Sequence, residues 1–583
     1  MAAGKAEWGS DVIVEMMQAY GIEYAFTNLG GTFRGLLDSI VNFADNRAPE
    51  VIECLHEDVA ISIAHGYAKV TGKASVALVH NVVGTLHGSM SIYDSYVGNA
   101  PVIVMSGTGP MSLPLRRPSL DWIHTALVQG NLVRDYVKWD DQPYDTASFP
   151  ESFMRAHRTA VTEPKGPVYI ALDAGWQEEQ LTSPIDIPDV RKFAPPTRLQ
   201  GDPAALRRTA ELLANAELPL IYTGRVGRNP ESVPLLVELA EAAGIAVIDG
   251  GGPLNFPNTH ALDATGTDLL GKADVVIMMD VDEPEQALLE RGRYPRGGGL
   301  SRVRSDATLI NVRLDDIWIR STTLDFGRLY PFDMTIAADT GLAIPELTAQ
   351  VRAILGQRAD GADLVQKRGA RVAEAQAVVR KRSAEELQKE MGKRPISHAQ
   401  LAQAAWNVVK GEPNWVVSGN PGGWLRRVWE MDRPGCTGGG GGAAAVGSNL
   451  PKAIGAALAA KQQGGFGVDF NGDGDFFYVP EAVWTAAHHH IPTLVFVLNN
   501  GGYIGEGGHQ LYTAQQRERS KDRLDVAIEI KNPTIDIAAM ARAQGAYAEG
   551  PIDDPDQLEP AIQRAFKAMK DESTIAVLDV RVE

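Results

Sequence analysis

The chain has 583 residues, 44% of them hydrophobic and 22% charged, which is an ordinary globular composition spread over about three or four domains. Its net charge of −18 argues against nucleic acid or an anionic membrane as a partner. Two cysteines, Cys54 and Cys436, supply neither a disulfide framework nor a zinc spacing, so a reduced, cytoplasmic setting is expected.

Residues 1–21 lack the basic and apolar segments of a secretion signal, and no run reaches the roughly 18 apolar residues of a membrane span. From residue 24 to 106 short apolar strands alternate with turns and helices: 24–26 leads to Gly30-Gly31 and a helix over 33–43, 51–53 to a helix from Glu57, 75–80 to a helix from Thr85, and 101–106 closes the series. Such alternation predicts a parallel, doubly wound sheet. With a further strand at 168–173 it defines an N-terminal domain, 1–182. The proline-rich stretch 183–196 reads as a surface linker. A second series, with strands at 219–222, 246–248, 274–279 and 307–312, predicts a middle domain over 197–360. Residues 362–393 read as a charged, solvated helical connector. A third domain, 395–583, completes an α/β fold of three doubly wound parallel-sheet domains.

The third domain holds the stretch Asp469-Phe470-Asn471-Gly472-Asp473-Gly474-Asp475, a helix over 481–489, a buried strand over 493–498, and then Asn499-Asn500-Gly501-Gly502-Tyr503. Adjacent parallel strands would bring Asp473 and Asn500 onto neighbouring loops at the carboxyl edge, where open α/β sheets bind ligands. Asp473 offers a carboxylate, Asn500 an amide oxygen and Gly502 a main-chain carbonyl. With two phosphate oxygens and a water they would complete the octahedron of Mg²⁺, while Gly472 and Gly474 let the backbone approach a diphosphate.

Gly472-Asp473-Gly474, a spacer of 24 residues (475–498) and Asn499-Asn500 resemble the signature of thiamine-diphosphate enzymes. A second segment, His56-Glu57-Asp58-Val59-Ala60 through Gly66-Tyr67-Ala68 to Thr71-Gly72, is similar to that family's glutamate helix. A third, Ala445-Val446-Gly447-Ser448-Asn449-Leu450-Pro451, is similar to its hydrophobic wedge, where the family usually carries a longer residue than Val446. Over nearly the whole chain the likeness is to the acetolactate synthase and benzoylformate decarboxylase group.

That resemblance implies thiamine diphosphate and Mg²⁺ as cofactors, with a pyrimidine-binding first domain, a diphosphate-binding third domain, and a cofactor lying between domains of two subunits of a homodimer or homotetramer. It implies Glu57 against the pyrimidine N1′, Ala444 offering its carbonyl to the 4′-amino group, and Val446 supporting the bent cofactor. The bland alternative for Glu57 is a glutamate favoured by the helix dipole. His80, in His80-Asn81-Val82-Val83-Gly84-Thr85, is similar to the loop histidine of benzoylformate decarboxylase and would move protons; a structural histidine is the alternative. Gly31, His124, Leu127 and Ile504 would face substrate. Glu506, in a glycine-rich segment expected to open and close as a lid, is either a proton shuttle or a solvated residue.

The implied reaction makes or breaks a carbon–carbon bond beside a carbonyl, as a 2-oxo-acid decarboxylase or an acetolactate synthase-like carboligase acting on a 2-oxo acid or 2-hydroxy ketone. The alternative is a 2-hydroxyacyl-CoA lyase, motivated by Arg291, Arg293, Arg296, Arg302 and Arg304, which would receive nucleotide phosphates of an acyl-CoA. A silent subunit is disfavoured by the presence of Glu57, Asp473 and Asn500. The middle domain would hold FAD, ADP or nothing. His488-His489-His490 point in different directions from a helix and are not expected to chelate. The glycine run 438–442 reads as a loop, not a dinucleotide fingerprint.

Overall fold

The computed structural model describes residues 5–290, 299–314, 329–438 and 441–583. It contains three sheets whose ladders are all parallel. The first has the order β2-β1-β3-β4-β6-β5, with β1 (Tyr24–Asn28), β2 (Glu50–Glu53), β3 (Ser75–Val79), β4 (Val102–Thr108), β5 (Asp140–Asp141) and β6 (Val168–Asp173). The second has the order β13-β12-β9-β7-β8, built from β7 (Pro219–Thr223), β8 (Ala246–Asp249), β9 (Val275–Met279), β12 (Thr308–Arg313) and β13 (Met334–Ala337), with a small ribbon of β10 (Leu289–Glu290) and β11 (Leu300–Ser301) beside it. The third runs β14-β15-β16-β18-β17, from β14 (Trp415–Ser418), β15 (Phe466–Gly472), β16 (Thr493–Asn499), β17 (Tyr547–Ile552) and β18 (Ile575–Arg581). The expected α/β class is therefore present. Central strands such as β3, β4 and β6 are buried along their whole length, which is why they read as unbroken apolar runs.

The first and third sheets share one core. Helix Glu57–Thr71 packs Val59, Ala60, Ile63 and Ala64 into the same cluster as Leu450, Ile454 and Ala457 of helix Asn449–Lys461. Each fully buried aliphatic side chain there contributes about 1.5–3 kcal/mol. The crossing depends on two glycines: a Cβ on Gly66 would fall 1.9 Å from the Lys452 carbonyl oxygen, and one on Gly455 would fall 2.0 Å from that of Ile63.

Helix Gly361–Glu390 corrects the expectation of a merely solvated connector. Arg368, Val372 and Gln376 are buried, Arg368 donates to the Ala243 carbonyl at 2.9 Å and Gln376 to Asp263 at 2.8 Å. Its anchors are mostly polar, so a search for apolar periodicity passes over them. The stretch 183–196 is largely exposed and holds one short turn, Val190–Phe193. No helix among the described residues is long and apolar enough to cross a membrane.

Candidate active site

Helix Glu57–Thr71 starts where it does because His56 caps it, its Nδ1 accepting the Asp58 N–H at 3.1 Å, and it ends at left-handed Gly72. Glu57 is thereby fixed in the first turn and buried. A Cβ on Gly84 would lie 2.8 Å from Glu57 Oε1 and equally 2.8 Å from the Cβ of His80. Glu57 and His80 thus flank Gly84, and glycine is what lets them. The second carboxylate oxygen, Oε2, pairs with His87 Nδ1 at 3.1 Å, and the His87 ring stacks on His56 with centroids 5.2 Å apart.

His80 follows β3 directly and is backed by Gly30, where a Cβ would fall 2.0 Å from Nδ1. Its Nδ1 has no hydrogen-bond partner, whereas Nε2 lies 3.1 Å from Asn81 Nδ2. Its ring meets that of His124 edge to face at 5.3 Å. Burial, and then the neighbouring His124, hold its pKa below the ordinary histidine value, so the ring is neutral at pH 7. The Gly31 carbonyl accepts from Arg117 at 3.0 Å, and Arg117 is tied to Asp121 at 2.7 Å. Leu127 is 85% exposed and Trp122 78%.

Asp473 opens the short helical turn Asp473–Phe476 at the end of β15. Its carboxylate accepts the Gly474 N–H and, across to the loop after β16, the Gly501 N–H, both at 2.8 Å. β15 and β16 pair directly, so Asp473 and Asn500 stand on neighbouring loops. Burial raises the Asp473 pKa against the pull of those backbone donors, a direction that a bound dication reverses. The two asparagines differ. Asn499 is spent on Asp579 and Arg581 at 2.8 and 2.9 Å, while Asn500 Oδ1 is buried with no partner. A buried, unpartnered oxygen beside an anchored carboxylate and the Gly502 carbonyl is a hard, all-oxygen donor set; it fits Mg²⁺ better than a thiolate- or imidazole-seeking metal. Gly472 has open space where a Cβ would sit, and Gly474 lies under the Tyr503 ring. Nearby, Ala444 holds a left-handed φ of +53° and Val446 is 40% exposed.

The glycine-rich segment expected to act as a lid is helical, not an irregular loop. Ile504–Gln516 is a helix that includes Gly505, Gly507 and Gly508. Exposed Glu506 occupies its first turn, where the helix dipole favours a carboxylate. The glycines lower helix propensity without abolishing it. Ile504 is exposed beside it.

Glu57, His80 and His124 form one group and Asp473, Asn500 and Gly502 another. Among the described residues no hydrogen bond or ion pair joins Glu57 or His80 to the second group. Nothing in the sequence spacing of His87 announces its contact with Glu57. In the histidine run His488 stacks on Trp484, His489 accepts the Glu53 N–H at 2.8 Å, and the two rings meet edge to face with centroids 4.7 Å apart. Cys54 and Cys436 are buried free thiols pushed up to about 12 and about 11 by desolvation, which leaves them unreactive.

Two α/β units, one presenting a buried glutamate and the other a carboxylate and an amide oxygen on the loops after its second and third strands, define a two-part cofactor-binding protein. Residues 7–121 match the family model of the thiamine pyrophosphate enzyme N-terminal TPP binding domain, and residues 418–580 that of the C-terminal TPP binding domain. The chain belongs to the thiamine pyrophosphate enzymes, and its relatives include acetolactate synthases and a benzoylformate decarboxylase. It is 21% identical to the acetolactate synthase of Bacillus subtilis (strain 168) over 96% of this chain and 91% of that one. It is 22% identical to the benzoylformate decarboxylase of Pseudomonas aeruginosa over 95% of this chain and 96% of that one. The solved benzoylformate decarboxylase of Polynucleobacter necessarius shares the fold with a TM-score of 0.75 at 19% identity, covering 99% of this chain and 98% of that one.

Proposed function

We propose that this enzyme uses thiamine diphosphate and Mg²⁺ to make or break a carbon–carbon bond beside the carbonyl of a 2-oxo acid, as a decarboxylase or carboligase. The observation that carries the reading is the buried Glu57 carboxylate next to the neutral, half-buried His80 imidazole across Gly84. The bound cofactor would supply an electron sink for the carbon that loses its neighbour. Glu57 would hold a proton at the pyrimidine N1′. The Ala444 carbonyl would accept from the 4′-amino group and Val446 would brace the ring. Asp473, Asn500 and Gly502 would hold Mg²⁺, with Gly472 and Gly474 admitting the diphosphate. His80, with a free Nδ1, would pass a proton at the substrate oxygen, and Glu506 is the second carboxylate available for that work. Gly31, His124, Leu127 and Ile504 would shape the substrate side.

That no hydrogen bond or ion pair among the described residues joins the Glu57 and Asp473 groups accords with a site completed by a second copy. The exposed apolar side chains Leu113, Leu115, Trp122 and Leu127, all within one stretch of fifteen residues, support a homodimer or homotetramer, in which a second copy would cover them. Two buried, unpaired cysteines fit a cytoplasmic setting.

A cavity of about 380 Å³ lies at the ends of β7, β8 and β14, lined by Gly227, Asp249, Gly251, Gly419 and Arg426, and is where FAD or ADP would sit. Two of the arginines that motivate an acyl-CoA substrate have partners within the chain. Arg304 pairs with Asp306 at 2.5 Å and Arg302 donates to the Ala287 carbonyl at 3.0 Å; Arg291, Arg293 and Arg296 lie outside the described residues.

The test is release of CO₂ from a panel of 2-oxo acids, benzoylformate included, by purified protein supplied with thiamine diphosphate and Mg²⁺. Loss of turnover on omitting either, and in Glu57→Gln, is expected. Turnover of 2-hydroxyacyl-CoA thioesters alone overturns the 2-oxo-acid reading.

A further inference from the structure

Segment 443–449 carries Ala444 and Val446, and it is held from both ends by buried carboxylates that neither the metal set nor the proton groups use. At one end Asp94, in helix Ser89–Val97 of the first unit, accepts the Ala443 N–H on Oδ1 at 2.7 Å and receives Lys452 Nζ on Oδ2 at 2.9 Å. His65 Nδ1 stands 3.7 Å away. Gly442 makes the approach possible: it has a φ of +135°, and a Cβ there would fall 2.3 Å from Asp94 Oδ1. At the other end Asp475, two residues beyond Asp473, accepts the Gly447 N–H on Oδ1 and Asn449 Nδ2 on Oδ2, the latter at 2.7 Å. Between these anchors the segment makes a local turn, in which Ser448 N–H and Ser448 Oγ both donate to the Ala445 carbonyl, at 3.2 and 2.9 Å.

Two buried carboxylates against one buried ammonium is a costly arrangement unless every oxygen is used, and here all four oxygens are. A loop that merely had to pack would need neither. We propose that Asp475 and Asp94 are positioning residues that clamp segment 443–449, so that the metal loop and the helix Ser89–Val97 together set where Ala444 and Val446 meet the cofactor. The clamp rests on the cofactor reading of those two residues. It makes order in the Asp473 loop and order in the pyrimidine-supporting segment a single event, because Asp475 belongs to both.

The experiment combines amide hydrogen exchange over 441–449 in the full chain with calorimetric titration of thiamine diphosphate in the presence of Mg²⁺. Asp475→Ala and Asp94→Ala are each expected to raise exchange across the whole segment, beyond the residue that lost its acceptor. Each should also raise the cofactor concentration for half-occupancy about tenfold or more, the scale of a lost hydrogen bond to a charged group. The double variant should be less than additive, since both residues hold one segment. Where Asp94→Ala fails to fold, Asp94→Leu with Lys452→Met removes both charges and the acceptor for the Ala443 N–H, and should reproduce the effect in a folded protein. A merely structural pair would lower the melting temperature while leaving the exchange of 441–449 and the cofactor affinity at wild-type values, and that result overturns the proposal. Loosened exchange with unchanged cofactor affinity also overturns it. Failure of the wild-type chain to bind thiamine diphosphate would instead sink the cofactor reading itself, whatever the exchange data show.

Discussion

Replacing Gly84 by alanine tests the arrangement of Glu57 and His80 more sharply than removing either. The new Cβ would stand 2.8 Å from Glu57 Oε1 and 2.8 Å from the His80 Cβ, against an ordinary contact of about 3.5 Å, so one or both must yield by roughly 0.7 Å. Glu57 Oε1 is the end of a flexible side chain and gives way cheaply; the His80 Cβ is nearly backbone and does not. The expected loss of stability is therefore modest, about 1–2 kcal/mol, from overpacking of about 1–3 kcal/mol partly offset by the better helix propensity of alanine. The functional loss is larger. A displacement on the order of 1 Å can slow a positioned reaction about 10²-fold, so exchange of the bound cofactor's thiazolium proton should slow by roughly 10- to 100-fold. Urea unfolding gives the first quantity, and quenched-flow NMR the second. Exchange at the wild-type rate in a folded Gly84→Ala protein would refute the assignment of Glu57 as the group that serves the cofactor.

Asp473→Ala should abolish Mg²⁺-dependent retention of thiamine diphosphate, because the remaining neutral oxygens cannot offset the diphosphate charge; calorimetric affinity equal to wild type would remove Asp473 from the metal site. Glu506→Gln should lower kcat by about 10²-fold if the carboxylate moves a proton, whereas kinetics within about twofold of wild type would leave His80 as the proton shuttle. Asp469 is buried with both carboxyl oxygens unpartnered, and desolvation pushes its pKa well above the carboxylate range. The folded chain then keeps a proton that the unfolded chain releases, so this group erodes stability as pH rises above its unfolded pKa of about 4, by up to about 1.4 kcal/mol per unit. Asp469→Asn should gain about 1–3 kcal/mol relative to wild type between pH 5 and pH 7 in urea unfolding without cofactor, and parallel pH profiles would contradict this.

The central strands could be read from the sequence because they are buried on both faces and bounded by glycine turns; the edge strands β5, β13 and β17, very short or only partly buried, leave no such trace. The placement of Asp473 and Asn500 on adjacent loops was legible too, since 24 residues is one helix and one strand. Other features required the folded chain. His87 reaches Glu57 from 30 residues away only because two helices pack, and no local pattern encodes that. Asp94 and Lys452 are 358 residues apart and read locally as ordinary charged residues of amphipathic helices. The helical form of Ile504–Gln516 was not legible, because its glycines read as a loop although the intervening residues sustain helical hydrogen bonds.

The glycine-to-carbonyl crossing of helices Glu57–Thr71 and Asn449–Lys461 brings main chain against main chain, at Gly66 on Lys452 and Gly455 on Ile63. Where two helices touch through side chains they can slide by exchanging rotamers; where they touch through backbone they behave as a welded joint. Any opening that admits substrate must therefore bend elsewhere, and the exposed helix Ile504–Gln516 and the stretch 113–128 are free of that weld. Changes in substrate preference can accumulate in those two segments while the joint, and with it the spacing between the first and third sheets, stays unaltered.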